Sequence, residues 1–521
     1  MRLTFLSLAS VATTCLAFDF QQKPFNTIDT KITHQSHGHF LHVTDFHVDR
    51  YYEADTVIKS ACHDAPTKHR HRKQRHGKLA GFWGTPTSIC DAPMRLAEHT
   101  VNYIANKWRD DIDFIIWTGD NARHDTDSTR PRTTKELLTY NWDMTNLLQK
   151  SFVRSDNTTI PIVPCIGNND VHPHNKLKPF DLQLQAYSVI WKDLIPLDQQ
   201  PTFQQGGYFV VDVAPGVRVM SLNTMYFFSS NDDVEGCHVQ DDPGNKHIAW
   251  MRTTLAQARN DDVKVYVIGH VVPSKKTFYR DCLDEYIDVS LEYKDVIAGH
   301  MYGHANMDHF QLLKRRNEQE HGHHRKHGHH KHGHGHHDDT DTAEEGTIGI
   351  MRNMKKFLRS LRRQYKKARH FDSDSLIAVH VAPPVLPVYY PAFRMNQYDT
   401  STGDWTQYTQ FFSNLTYWNM QDHLTLPTFE VEYSTDETYN MTDLSVDSWI
   451  DLAKRMMEKS EQGEKLWNTY LNNMLVQTDS DLSMEEHGSP CQHHSRGKGS
   501  WWKLWHQWLD DVRSRLVAAN D

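Results

Sequence analysis

Aspartate, histidine and asparagine recur along this chain in five short clusters, each close behind an apolar run. Residues 39–43 lead into Asp45 and His47. Residues 113–117 lead into Asp120 and His124. Residues 160–166 lead into Asn168, Asn169 and Asp170, residues 263–268 into His270, and residues 293–298 are followed by His304 and Asn306. Carboxylate, amide and imidazole groups are the donors that hold hard-to-borderline divalent cations. A lone Asp-x-His is most often a pair of solvated surface residues. Five such clusters in succession, each after a strand-like run, point instead to one metal-binding centre.

The elements that must position them follow from periodicity. Residues 39–43, 113–117, 160–166, 217–222, 263–268 and 293–298 are short, apolar and rich in β-formers, so they predict buried strands. Between them, residues 93–108, 134–150, 181–194 and 244–259 carry helical spacing. Residues 206–224 predict a hairpin turning at Pro215-Gly216. Strand and helix in alternation give an α/β layered domain. In such domains ligands collect beyond the carboxyl ends of the strands, where all five clusters fall.

The order DxH, GDxxxH, GN, GH and GHx(N), over roughly residues 39–310, resembles the calcineurin-like metallophosphoesterases. "GDNARHD", "NMDHF" and "YYPAFRMNQYD" look like the acid-sphingomyelinase branch. "GNND", a basic and His-rich insertion and the glycosylation sequons are similar to its fungal endopolyphosphatase members, vacuolar enzymes that cut inorganic polyphosphate internally. The resemblance implies an α/β fold, a β-sandwich flanked by helices, to which low complexity adds a disordered His-rich and basic insertion and amphipathic spacing a helical C-terminal tail. It implies two divalent cations (Mg, Mn, Co or Zn). Asp45 and His47 would hold the first, Asp120 would bridge both, and Asn168, His270 and His304 would hold the second. His124 would orient phosphate or water, and Asp49 and Asp170 would orient ligands.

Two residues depart from that pattern. Asn306 stands where the family has its last histidine ligand. An amide oxygen is harder than imidazole, which favours Mg or Mn over Zn at the first site. His300 or His309 could replace it, although a packed histidine is the plainer reading of each. Asn169 stands where a histidine usually assists the leaving group. An alkoxide leaving group needs a proton, because its conjugate acid has a pKa near water's ~15.7. A phosphate leaving group has a pKa of about 6 or below and needs only a cation beside it. Asn169 therefore suits an anhydride better than an alkyl ester, unless His172 or His174 acts in its place.

The chain has 521 residues, a formal net charge of −9 and 36 histidines, so it would turn basic in a mildly acidic compartment. Arg2 and the apolar residues 3–18 read as a signal peptide ending near residue 17, or a short signal-anchor that would attach the chain to a membrane. Six cysteines follow it (Cys62, Cys90, Cys165, Cys237, Cys282 and Cys491), an even set suited to disulfides. Sequons at Asn157, Asn414 and Asn440 agree with the secretory route. Composition divides the rest into a core at 35–310, the insertion at 311–370, core completion at 371–430 and a C-terminal extension at 431–521. The resemblance implies a polyphosphate substrate, a vacuolar location and no nucleic acid as a specific partner, and leaves a homo-oligomer open. The rival readings are a secreted sphingomyelinase-like phosphodiesterase and a non-catalytic metal- or polyanion-binding protein, the latter resting on ten histidines in residues 321–337.

Overall fold

The computed structural model describes residues 37–65, 79–315, 347–368 and 370–478. The N-terminal apolar run, the basic stretch 68–78, the His-rich stretch 321–337, Cys491 and the Trp-rich tail lie outside the described residues.

Two six-stranded sheets form the centre. The first runs Glu430–Ser434, Trp405–Phe412, Ala392–Asp399, His37–Val43, Phe114–Trp117, Ile162–Pro164. The second runs His309–Lys314, Leu376–Val381, Ile297–Tyr302, Lys264–Ile268, Val217–Ser221, Phe209–Ala214. His37–Val43, Phe114–Trp117 and Ile162–Pro164 pair in parallel, as do Val217–Ser221, Lys264–Ile268 and Ile297–Tyr302. The period-2 alternation of side chains sorts each central strand between two layers. Phe40, Phe114, Ile116 and Val163 join the core shared with Val219, Val267, Met301 and Val379 of the second sheet. Leu41, Val43, Ile115, Trp117 and Ile162 face the opposite way. They pack there with Val101 and Ile104 of the helix Met94–Trp108 and with Leu137, Met144 and Leu148 of the helix Thr134–Ser151. The result is the α/β sandwich flanked by helices that the sequence predicts.

Helix Thr134–Ser151 begins where Thr133 accepts a hydrogen bond from Glu136 N, the Thr-x-x-Glu start signal. Its buried face, Leu137, Tyr140, Asn141, Met144, Thr145 and Leu148, recurs at three- and four-residue spacing. Among these apolar positions Asn141 is a polar exception that serves the site.

Some boundaries differ from the composition-based ones. The strand expected at 293–298 is Ile297–Tyr302, because Tyr293 closes the preceding helix and Val296 N turns back to Tyr293 O. The boundary placed after residue 310 cuts the edge strand His309–Lys314, which pairs antiparallel with Leu376–Val381. Helix Thr347–Ala368 belongs to the packed structure, since Leu361, Tyr365 and Ala368 enter the main core. Glu430–Ser434 is a sheet strand, followed by helices Val446–Met456 and Glu461–Met474. Disulfides join Cys62 to Cys90 and Cys237 to Cys282. Cys165 is a buried thiol, so its expected place among the bridged cysteines is not realised within the described residues.

Candidate functional site

The turns that leave the parallel strands are unusual in their backbone. Asp45, His47, Asp120, His304 and Asn306 all have positive φ, between 42° and 65°. For non-glycine residues this region is costly and persists where the surroundings enforce it, often at functional sites. The glycines beside them are there for space. A Cβ on Gly167 would lie 2.1 Å from Asp120 Oδ1, and one on Gly303 would lie 2.1 Å from Thr44 Oγ1 and 2.4 Å from Asp45 Oδ2.

These turns bring five of the predicted donors into two overlapping groups, Asp45 with His47 and Asp120, and Asp120 with His270 and His304. His47 Nε2 lies 3.5 Å from Asp45 Oδ1 and 3.4 Å from Asp120 Oδ2. His270 Nε2 lies 3.1 Å from Asp120 Oδ2 and 2.9 Å from Asn168 Oδ1, and His304 Nδ1 lies 2.8 Å from that same amide oxygen. The other ring nitrogens of His47 and His270 donate to the carbonyls of Ala122 and Thr118, which leaves each Nε2 as the atom that faces the carboxylates and could ligate a cation. Asn306 is buried two residues beyond His304.

The electrostatics agree with a cation site. His47 Nε2 is buried without a hydrogen-bond partner among the described residues, amid carboxylate oxygens. Burial pushes the Asp120 carboxyl up, but His270, His47 and the Asn169 amide outweigh it and hold it well below the ordinary carboxylate range. Burial lowers both rings, but Asp120 and Asp45 outweigh it, raising His47 and bringing His270 up to about 9, so without metal these rings carry the positive charge that a divalent cation would supply in their place.

Asp170 fixes the two central loops. Its carboxylate accepts from the backbone N–H groups of Asp120, Asn121, Ala122 and Gly167, and from Asn141 Nδ2 on the buried face of helix Thr134–Ser151. Asp170 thus touches both turns directly, the position from which the sequence expects it to orient ligands. Asp49 differs: it accepts from Tyr51 N and pairs with His63 Nε2, whose Nδ1 meets Asp127. It touches no metal-donor side chain.

Asn169 faces inward. Its backbone N–H donates to Asp120 Oδ1 at 2.7 Å and its Nδ2 donates to Asp120 Oδ2 at 2.8 Å. Its carbonyl and Oδ1 accept from Nη1 of Arg132 at 3.0 and 3.2 Å. Arg132 is 5% exposed, and its Nε and Nη2 groups make no hydrogen bond among the described residues. The charges that act on it include Asp120 and Asp91. His174 Nε2 lies 3.1 Å from Asn168 Nδ2, the donor of that pair, and burial followed by the charge of Arg132 brings its pKa down to about 3. It is a neutral acceptor that orients Asn168. His172 is exposed, and its hydrogen bonds to Gln183 are made by its backbone.

His124 stacks on His47 at 4.0 Å, donates its backbone N–H to Asp91 Oδ2, and sets Nδ1 2.6 Å from Asp91 Oδ1. Its Nε2 is buried without a hydrogen-bond partner among the described residues. Cys90 and Cys62, joined by their disulfide, immediately precede Asp91 and His63. His300 bonds Tyr286 Oη, and His309 bonds the Met307 carbonyl; both are packed in the interior and neither joins a metal-donor group. Sequence reasoning missed Asp91, Arg132 and Asn141. Asp91 carried one signal, its place beside a bridged cysteine, while Arg132 and Asn141 carried none.

A family model described as calcineurin-like phosphoesterase matches residues 38–304, and one described as the acid sphingomyelin phosphodiesterase C-terminal region matches residues 376–494. The chain is similar to the endopolyphosphatase of Candida glabrata, 42% identical over 284 residues, 53% of this chain and 42% of that protein. It is similar to the one from Saccharomyces cerevisiae, 38% identical over 283 residues, 53% of this chain and 41% of that protein. The Yarrowia lipolytica endopolyphosphatase is 32% identical over 419 residues, 70% of this chain and 56% of that protein. The chain therefore spans about half the length of these curated relatives.

Proposed function

The chain belongs to the calcineurin-like phosphoesterase family, and from that premise we propose that it is an endopolyphosphatase, a two-metal hydrolase of internal phosphoanhydride bonds in inorganic polyphosphate. The relatives that bear this name support the reading. Asp45, His47, Asp120 and Asn306 would hold one divalent cation, and Asp120, Asn168, His270 and His304 the other. Two such cations supply charge neutralisation at phosphorus and activation of water.

The observation that carries the substrate class is the Asn169–Arg132 pair. Asn169 spends its amide on Asp120 and holds no proton for a leaving group, while Arg132, kept against it, is a permanent cation. An arginine stabilises a departing phosphate oxygen but does not protonate an alkoxide. His174 is held neutral against Asn168, and His172 is at the surface. His124, steadied by Asp91, offers its Nε2 to a phosphoryl oxygen or to water. The chain's own residues thus bind, orient and neutralise an anhydride.

The test is chain-length analysis of long polyphosphate incubated with enzyme and divalent cation. Internal cutting gives intermediate lengths before orthophosphate accumulates, and a chelator stops it. The second reading, a sphingomyelinase-like phosphodiesterase, is favoured by the match over residues 376–494. Cleavage of an alkyl phosphodiester as fast as polyphosphate would establish that reading over the first.

We also propose passage through the secretory pathway to the vacuole as a glycoprotein, tethered or released at its N-terminal apolar run. Two disulfides and the exposed Asn157 and Asn440 sequons support it. Among the described residues no helix is long and apolar enough to cross a membrane.

A further inference from the structure

Many basic side chains on the described surface have an acidic neighbour. Arg218 pairs with Asp212 and Asp261, Arg252 with Glu292, Arg259 with Asp295, Lys264 with Asp404, Lys294 with Asp374 and Arg315 with Asp288. Helix Thr347–Ala368 is the contrast. It contains no acid between Thr347 and Ala368. Its inward face, Leu361, Tyr365 and Ala368, is buried, and Arg362 lies over the Trp467 ring. Its outward face exposes Lys356, Arg359, Arg363 and Lys367, spaced three, four and four residues apart, and none of these makes an ion pair among the described residues. At 1.5 Å per residue that stripe is about 16 Å long. Like charges three and four residues apart repel on a helix, so the stripe is uncompensated within the fold.

The helix also has a direction relative to the site. Phe357 lies against the His309 ring at 5.0 Å, Tyr365 Oη donates to the Phe310 carbonyl, Gln364 Oε1 accepts from Leu312 N, and Lys314 covers the ring of Phe371. The helix therefore runs alongside the strand His309–Lys314 in the same sense. Its Lys356 end lies toward the strand end that follows His304 and Asn306, and its Lys367 end lies away from it.

We propose that Lys356, Arg359, Arg363 and Lys367 form a docking rail for an extended polyanion, which holds a remote stretch of polyphosphate while another stretch occupies the metal site. This rests on the polyphosphate reading and adds to it a second binding surface, one that favours long chains over short. Binding there is electrostatic, with each phosphate-bound cation releasing counterions, so it weakens as salt rises. A chain too short to reach both places gains nothing from the rail.

The experiment compares the parent with the quadruple variant Lys356→Gln, Arg359→Gln, Arg363→Gln, Lys367→Gln. The first readout is the ratio of kcat/KM for long polyphosphate to that for tripolyphosphate, measured at several salt concentrations. The second is equilibrium binding of long polyphosphate in an Asp120→Asn background, which separates docking from turnover. The rail predicts a ratio lowered about tenfold at low salt and a log–log salt slope shallower by roughly 3, for four lost contacts at about 0.7 each. The single variants Arg359→Gln and Arg363→Gln should each lower the slope by a fraction of that, which keeps the test open if the quadruple variant unfolds. A folded quadruple variant with the parent's ratio and slope overturns the rail alone. A parent that cleaves no polyphosphate of any length overturns the rail together with the function it rests on.

Discussion

Replacing Arg132 with methionine removes a cation while keeping most of the side chain's volume. Three acceptors lose their donor: the Asn169 carbonyl at 3.0 Å, Asn169 Oδ1 at 3.2 Å and the Arg123 carbonyl at 3.0 Å. Hydrogen bonds to charged groups contribute about 1.5–3 kcal/mol each, so a loss of stability of a few kcal/mol is expected. The catalytic effect is separable. A preorganised donor aimed at developing charge is worth about 10²–10³ in rate, which corresponds to roughly 3–4 kcal/mol. Arg132→Met should therefore lower kcat on polyphosphate by about that factor. The loss should be smaller for an aryl ester of an acidic phenol, whose leaving oxygen spreads its charge into the ring. Arg132→Lys keeps the charge but loses the planar fork, and should fall between. The assay is kcat and KM for both substrates, with metal content measured in parallel to show that metal binding is unchanged. A folded, metal-replete Arg132→Met enzyme within about threefold of the parent on polyphosphate would refute the assignment of Arg132 to the leaving phosphate.

Asp120→Asn should abolish hydrolysis and bring bound metal from two ions per chain toward one or none, because Asp120 belongs to both donor groups; elemental analysis of the purified variant checks it. Opening the Cys62–Cys90 bridge by alanine substitution at both positions should cost about 3.6 kcal/mol of stability for a loop of this size and should also lower turnover, since Asp91 and His63 follow the bridged residues; turnover equal to the parent's at a temperature where both are folded would sever that link. His247 gives a pH prediction. It is fully buried, stacked on Tyr208 and Phe227, and burial brings its pKa from 6.5 down to about 3. The unfolded chain then binds the extra proton, so stability is intact above pH 6.5 and declines as pH falls toward 3, by about 2.7 kcal/mol at pH 4.5 for this one group. His247→Phe should lose less of its melting temperature between pH 7 and pH 4.5 than the parent does, and equal losses would show that His247 is not neutral in the fold.

The parts of the site that were legible in the sequence are the parts tied to strand ends. Asp45, Asp120, Asn168 and His270 follow apolar runs, and burying a parallel strand fixes where the residues at its exit must lie. The steric demand on Gly167 and Gly303 is the physical content of the GN and GHx(N) motifs. Strand boundaries were less legible where a helix closes directly into a strand, as at Tyr293–Val296. The charge of helix Thr347–Ala368 and the helical spacing of its apolar residues are both legible in the sequence, but the boundary at 311–370 sets them in an insertion, whereas one face enters the core. Leu361, Tyr365 and Ala368 recur at helical spacing within a stretch otherwise dominated by lysine and arginine.

What the sequence did not carry is contact between residues that no periodicity relates. Asn169 is legible as a missing histidine, and the proposed anhydride substrate would account for that absence. The structure adds that the position is filled by a different function, because the same amide that cannot donate a proton to substrate steadies both oxygens of Asp120 through its backbone and side-chain N–H groups. Its other face holds Arg132, 37 residues away in sequence. One residue thus exchanges an acid for a link between the shared carboxylate and a fixed cation. Restoring histidine at 169 would for that reason do more than supply a proton. It would remove the Nδ2 donor from Asp120 Oδ2 and the Oδ1 acceptor from Arg132, so Asn169→His should weaken metal retention and polyphosphate turnover together. Any gain on alkyl diesters should be seen only after metal is restored to saturation. A variant that gained alkyl diesterase activity with metal content and polyphosphate turnover both at the parent's level would show that Asn169 is a passive replacement, and that the hydrogen bonds from Arg132 through Asn169 to Asp120 have no catalytic consequence.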